Sequence, residues 1–166
     1  MYYLGVSYSM AVENKNILFK KLESKDAIPF DLLLLADPSI DLIAEYLKVS
    51  QLFVATDNQE ILGVIVLFPL TGETIEIKNI AVRTKLQRQG IGSFLINNAI
   101  RLASQSKIKN IFIGTADTSI AQLSLYQKLG FRISGIKEDF FLTNYDRPIY
   151  ENGIQAKHMV TLIKTL

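Results

Sequence analysis

The chain contains no cysteine and a single histidine, His158. The first absence removes disulfides, a thiolate nucleophile and cysteine-ligated zinc together. The second removes a multi-histidine metal site within one chain, so no metal is expected. A Ser-His-Asp arrangement would have to use His158, and no G-x-S-x-G segment supplies its serine. Charge of one sign is also scarce. The formal net charge is +2, short of the basic excess of a nucleic-acid binder. The longest apolar runs, DLLLLA and LGVIVLFPL, are too short to span a bilayer. The N-terminal MYYLGVSYSMAVENKN has no basic segment followed by a long apolar one. The sequence therefore predicts no nucleic-acid partner, no membrane span, no signal peptide and a cytoplasmic location.

What is present is an ordinary globular composition. The chain has 166 residues, 49% apolar and 20% charged, enough for one domain with its own core. Residues 1–15 lack clean periodicity and read as an N-terminal tail or an extra edge strand, with Met10 as an alternative start; residues 16–166 read as the domain. Ile17 to Glu23 reads as a first strand and Asp26 to Ala36 as an apolar helix. Asp37, Pro38 and Ser39 break that helix, and Ile40, Ile43, Ala44 and Leu47 form the stripe of the next. QLFVAT and EILGVIVLFPL, joined by Asp57, Asn58 and Gln59, read as a hairpin, and ETIEIKNIAV as the strand after it. A helix striped by Ile91, Leu95, Ala99, Leu102 and Ala103 follows, then the buried strand NIFIGTA. Ser119 to Leu129 forms a helix stopped by Gly130. FRISGIKEDFF reads as a strand, LTNYDRPIYENG as a polar loop and IQAKHMVTLIKTL as a closing strand containing His158. The order β-α-α-β-β-β-α-β-α-β-β predicts an α/β (α+β) fold with a mixed sheet flanked by helices.

The most informative stretch is NIAVRTKLQRQGIGSFLINNAI, Asn79 to Ile100. Three cations, Arg83, Lys85 and Arg88, precede Gly90 and Gly92, which open into a helix. First-turn amides of a helix have no internal partner and lie at the positive end of its dipole. Glycines leave room for a phosphate to reach them. The segment lacks the lysine and hydroxyl of a P-loop, and Leu95 stands where a dinucleotide fingerprint needs its third glycine. QRQGIG, Gln87 to Gly92, does fit the pattern Q/R-x-x-G-x-G/A.

With the preceding strand and the later LYQKLGF, Leu125 to Phe131, the region from Gln51 to Phe131 resembles the GNAT superfamily of acyl-CoA-dependent N-acyltransferases. The resemblance implies one domain over residues 16–166, with a mostly antiparallel sheet, about four flanking helices, and a splay between the fourth and fifth strands. It implies acetyl-CoA as co-substrate. The pyrophosphate would lie on the turn of Gln87, Arg88, Gln89, Gly90, Ile91, Gly92 and Ser93, and the pantetheine arm along Ile80, Ala81 and Val82. A backbone N–H near Ile80 would polarise the thioester carbonyl. Glu76 would be the base that takes the amine proton; as a plain strand residue it would be a solvated charge. Glu73 is a weaker candidate. Tyr126 matches the family tyrosine that protonates the leaving thiolate, although by spacing alone it is a packing residue beside Leu123 and Leu129. Ser119 stands where the family often has a cofactor-binding asparagine, with Asp117 or Thr118 able to compensate. Lys128 is a further candidate for the CoA phosphates.

The function implied is acetyl transfer to a primary amine of a small molecule, with a homodimer left open. The alternatives are a non-catalytic acyl-CoA sensor and an acetyltransferase acting on a protein N-terminus or lysine. In this superfamily the first helical region and the last hairpin loop shape the acceptor side. Here they carry Asp26, Asp31, Asp37, Asp41 and Glu45, then Glu138, Asp139, Asp146 and Glu151 with Phe140, Phe141, Tyr145 and Tyr150. Acids and aromatic rings together suit a cationic amine, a polycationic small one such as a polyamine-like or aminoglycoside-like compound rather than an acidic amino acid.

Overall fold

Turn chemistry organises the first half of the sheet in the computed structural model, which describes residues 8–12 and 15–166. The strands β1 (Tyr8–Val12), β2 (Lys15–Lys21), β3 (Gln51–Asp57), β4 (Glu60–Thr71) and β5 (Thr74–Val82) pair antiparallel in sequence order. Asn58 and Gln59, between β3 and β4, both have positive φ (45° and 73°), the handedness that follows the twist of a hairpin. Of the tail or edge strand expected over residues 1–15, residues 1–7 and 13–14 lie outside the described residues.

The second half is interleaved. It contains β6 (Asn110–Ala116), β7 (Arg132–Lys137), β8 (Tyr150–Glu151), β9 (Ile154–Gln155) and β10 (Met159–Thr165). Eight strands share one sheet in the order β1-β2-β3-β4-β5-β6-β10-β7, and β8 with β9 forms a separate small hairpin. Among the described strands only β5 and β6 pair in parallel, so the sheet is mixed and mostly antiparallel, as the resemblance implied.

Residues Leu62 to Leu67 of β4 are buried without interruption because both faces of the sheet are covered. On one face α3 (Ile91–Ser104) and α4 (Ile120–Lys128) bring Ile91, Phe94, Leu95, Ala99 and Tyr126 against Ile65, Leu67 and Ile77. On the other, α1 (Phe30–Leu33) and α2 (Ile40–Leu47) bring Leu32, Leu33, Ile43 and Tyr46 against Val54, Val64, Val66 and Ala81. Ser39 caps α2 by accepting from the Leu42 amide (3.3 Å).

The pairing of β5 with β6 is short. It runs from Thr74 opposite Asn110 to Ile77 opposite Ile113 and then stops. Beyond it β5 continues against β4 as far as Val82, while β6 continues against β10 as far as Ala116. A register shift places the extra residue Lys78 where Val66 pairs with Asn79 and Leu67 with Ile77. Such a bulge bends and twists its strand, and here it coincides with the start of the opening. Both α3 and α4 begin just after the diverging ends, so two positive helix termini stand at the mouth.

Three elements differ from the sequence reading. The apolar stretch Asp26 to Ala36 contributes only the four residues of α1, since Pro29 lies just before it and turns carry the chain on to Asp37. The strand from Phe131 ends at Lys137, and Phe140 and Phe141 belong instead to α5 (Phe140–Asn144) after a left-handed Asp139 (φ 52°). The closing strand starts at Met159, so His158 precedes it, and Ile154 and Gln155 turn back onto β8.

Leu95 is fully buried, whereas Ile133 is 53% exposed. Leu95→Ala is expected to cost about 2–5 kcal/mol in a denaturant titration. Ile133→Ala is expected to change stability by no more than about 0.5 kcal/mol.

Candidate functional site

The glycine turn is built by a backbone that twice enters the left-handed region, at Arg88 (φ 62°) and Gly90 (φ 84°). Gln87 braces it by donating to the Val82 carbonyl (3.2 Å), and Gln89 by donating to the Lys85 carbonyl (3.3 Å). Gly90 is the N-cap of the 14-residue α3, and no side chain accepts from the amides of that first turn. Ile91 is buried beneath it, and Gly92 and Ser93 are half-buried. A Cβ added to Gly92 would meet only the Leu125 side chain, at 3.8 Å. The amides are thus unshielded and unused.

The three cations before the turn divide into two kinds. Arg83 donates to the Ile61 carbonyl (2.6 Å) and to Asp31 (3.2 Å), so its guanidinium ties α1 to the sheet. Lys85 and Arg88 are exposed, and neither has an ion-pair partner among the described residues. Ile80, Ala81 and Val82 lie on the part of β5 that β6 no longer pairs, next to this turn.

Across the opening stand Ser119 and Tyr126. Tyr126 is 4% exposed and tilts against Phe131. Burial, and then the charge of Glu151, push its pKa far above the usual tyrosine value. Ser119 is buried too, but its hydroxyl donates to the Glu151 carboxylate. Asn152 donates to the Thr118 carbonyl (3.1 Å). The hairpin of β8 and β9 therefore clasps the start of α4. Lys128 is in the last turn of α4, at the end away from the mouth. His158 accepts the Asp139 amide on Nδ1 (3.0 Å) and holds the turn before α5.

Glu76 lies in the paired part of β5, immediately before the opening, with its side chain 16% exposed and 3.6 Å from the Lys78 ammonium. Lys78 extends over the Phe68 ring, 6.0 Å from its centre. Glu73, the weaker candidate, is paired with Lys109 at 2.7 Å before the first residue of β5.

The sequence reading grouped Asp37 with other acids and did not single out its surroundings. Asp37 is only 9% exposed. Its Oδ1 accepts from the Ser39 amide (3.0 Å) and from the Tyr145 hydroxyl (3.4 Å), 108 residues away. Burial raises its pKa, against the opposing pull of those two hydrogen bonds and of Lys78. Burial also raises Tyr46 to about 12, despite the hydrogen bond from Asn79, and the charge of Asp37 adds to the rise. Burial and Asp37 push Tyr145 up as well. Asn79, at 4% exposure, donates to the Leu33 carbonyl and the Tyr46 hydroxyl (both 3.0 Å), while its Oδ1 has no partner. Glu151 and Tyr145 had one legible signal: Asn152 and Gly153, both at positive φ, form the Asn-Gly turn of a hairpin.

Among the described residues no group of three or more His, Asp or Glu could hold a metal ion. None of their helices is long and apolar enough to cross a membrane.

Comparison with known proteins bears on this geometry. Residues 23–131 match the model of the Acetyltransferase (GNAT) family. The uncharacterized N-acetyltransferase YvbK of Bacillus subtilis is 49% identical over 140 residues, covering 84% of this chain and 90% of its own. A GNAT family acetyltransferase from Elizabethkingia anophelis, solved with acetyl-CoA bound, superimposes with a TM-score of 0.89 at 48% identity over 90% of this chain and 98% of its own. A Bacillus subtilis acetyltransferase solved in complex with CoA gives a TM-score of 0.84 at 47% identity, over 89% of this chain and 97% of its own.

The raised pKa of Asp37 has a consequence for stability. Between pH 3.8, its ordinary value, and its higher folded value, the folded state holds a proton that the unfolded state has released. Stability therefore falls as pH rises through that window, and the ionised carboxylate weighs against the fold above it. Asp37→Asn is expected to raise the melting temperature at pH 7, with the gap closing as pH drops below 4. A melting temperature lowered at pH 7 would contradict this reading of the carboxylate.

Proposed function

The chain belongs to the acetyltransferase (GNAT) family, an N-acetyltransferase with acetyl-CoA as co-substrate, and we propose that its acceptor is a primary amine of a small cationic molecule. The observation that carries the site assignment is the convergence, at one opening in the sheet, of an unpaired strand edge and an uncapped helix N-terminus.

The residues present fit acetyl-CoA. Free amides of α3 suit a pyrophosphate, and Gly92 leaves the approach open. Gln87, Arg88, Gln89, Gly90, Ile91, Gly92 and Ser93 would hold it, with Lys85 and Arg88 adding positive potential. The unpaired edge at Ile80, Ala81 and Val82 would take the pantetheine arm as a strand takes a neighbour. Bound acetyl-CoA supplies an activated thioester carbonyl to which the amine nitrogen bonds as the C–S bond breaks. Glu76, beside the opening, accepts the proton the amine must lose. Tyr126, kept protonated by burial, gives its proton to the departing sulfur. Ser119 is committed to Glu151, so its part is to hold the hairpin of β8 and β9 against α4. Lys128 has no part in this arrangement.

A cationic acceptor is supported by the acids and aromatic rings of the α1–α2 region and the segment from Glu138 to Glu151, joined through Tyr145 and Asp37. The acceptor amine attacks in its neutral form, so steering is exerted on the cation before its proton is lost.

Two experiments separate binding from chemistry. Gly92→Val should keep the fold, since its first carbon meets only Leu125, and should weaken CoA binding at least about tenfold by calorimetry. Unchanged affinity would remove the pyrophosphate from this turn. Glu76→Gln and Tyr126→Phe should bind CoA normally yet lose turnover, by about a hundredfold and about tenfold. Full turnover in both would leave positioning as the sole source of rate.

A further inference from the structure

Each residue of the turn that opens α4 is gripped by one distant segment, Glu151 to His158. The Asp117 amide donates to the His158 carbonyl (3.0 Å), and Asp117 Oδ1 accepts from the Lys157 amide (3.2 Å). The Thr118 carbonyl accepts from Asn152 (3.1 Å). The Ser119 hydroxyl donates to the Glu151 carboxylate, and this contact alone in the set joins two side chains. No cation pairs with Glu151 among the described residues.

Ser119 gives up its ordinary task for that bond. At a helix N-cap a serine accepts from a first-turn amide, and here it makes no such bond. Its single proton is committed outward instead. The helix has little else to fix it. Tyr126 is the one buried residue within α4, while Leu123, Leu125 and Leu129 pack against the core only in part. Ser119 and Tyr126 lie about two turns apart on the same face of the helix. The charge of Glu151 bears on Tyr126. The Tyr126 hydroxyl has no hydrogen-bond partner among the described residues, yet it is not one of the sealed, unpartnered oxygens. It therefore reaches accessible space, with its proton free for a ligand atom.

Resting on the acid role given to Tyr126 above, we propose that Glu151 is a positioning residue for acetyl transfer: its bond with Ser119 fixes the start of α4, and with it the direction in which the Tyr126 hydroxyl meets the CoA sulfur. A carboxylate whose charge is felt at Tyr126 opposes a thiolate there by charge alone. Its contribution is therefore geometric, since a hydrogen bond weakens steeply as its donor turns out of line. The same bond makes the last hairpin, on the acceptor side, a part of the machinery that releases CoA.

The test needs no acceptor. Each protein is saturated with CoA at about pH 8, where tyrosines are still protonated. The thiolate-to-thiol ratio of the bound CoA is read from the ultraviolet absorbance of the thiolate. A donor placed at the sulfur favours the thiolate. Tyr126→Phe is expected to lower the ratio by about tenfold. Glu151→Ala should lower it by at least about threefold, and adding it to Tyr126→Phe should lower it no further. Ser119→Ala breaks the same bond from the helix side and leaves the charge; it should lower the ratio too, and it serves if Glu151→Ala fails to fold. Glu151→Gln keeps an oxygen for Ser119 and removes the charge, so its ratio should equal or exceed that of the wild type. Loss of the negative charge by itself raises the ratio, so a fall in Glu151→Ala cannot come from charge. A level or raised ratio in Glu151→Ala, an equal fall in Glu151→Gln, or a further fall in the double variant would overturn the positioning role alone. An unchanged ratio in Tyr126→Phe would overturn the acid role of Tyr126, and the positioning role with it.

Discussion

Everything at the proposed site follows from two neighbouring strands that stop pairing halfway. A parallel ladder left incomplete exposes backbone donors and acceptors that would ordinarily be satisfied. It persists here because each strand is held from its other side, β5 by β4 and β6 by β10. The extra residue at Lys78 bends β5 away, and the burial of β4 from Leu62 to Leu67 keeps the bent strand from following its neighbour back. The opening is therefore a property of the sheet's anchoring rather than of loop flexibility. It presents a ligand with strand-like hydrogen bonding on one wall and a helix terminus at its end.

The two faces of the sheet divide the labour. The face with α3 and α4 carries the larger core, and its contribution at the mouth is made by backbone groups, with Tyr126 as the side chain proposed to act beside them. The face with α1 and α2 carries the smaller core, and there the polar side chains collect: Glu76, Lys78, Asn79, Asp37, Tyr46 and Tyr145. Backbone recognition of a common co-substrate needs few side chains. Recognition of one acceptor among many needs several, and on the proposed reading that task falls to the polar residues of the second face.

Legibility in the sequence tracks the distance over which each feature is decided. QRQGIG, the stripe of α3, the β3–β4 hairpin and the stop at Gly130 are local, and they stand where the spacing places them. The mixed sheet was legible in the order of the elements, and its splay through the family resemblance that the local pieces carry. The bulge at Lys78 was not, since it exists only in register with β4. Arg83 reads as a phosphate cation in its own segment, yet its partners Ile61 and Asp31 lie 22 and 52 residues away. The four-leucine run before Asp37 reads as a full helix and supplies one turn, in which Leu32 and Leu33 meet the sheet while Leu34 and Leu35 stay exposed. The short helix at Phe140 and the hairpin after Tyr150 were hidden for a different reason. Polar composition suggested an irregular loop, and the Asn152-Gly153 signal inside it was outweighed.

The position of β10 has a consequence for how the molecule comes into being. It is the last strand in sequence order, yet it lies inside the sheet, between β6 and β7. On a ribosome the segments of α3, β6 and α4 emerge while the slot beside β6 is still empty, and β7 must wait without a strand partner. Only when β10 arrives are both pairings made, together with the anchoring that holds β6 away from β5. Contacts this distant in sequence form slowly, and an unpaired strand edge is the usual route to misassembly. The same late strand that props the cleft open thus sets the moment at which a nascent chain becomes both protected and able to bind.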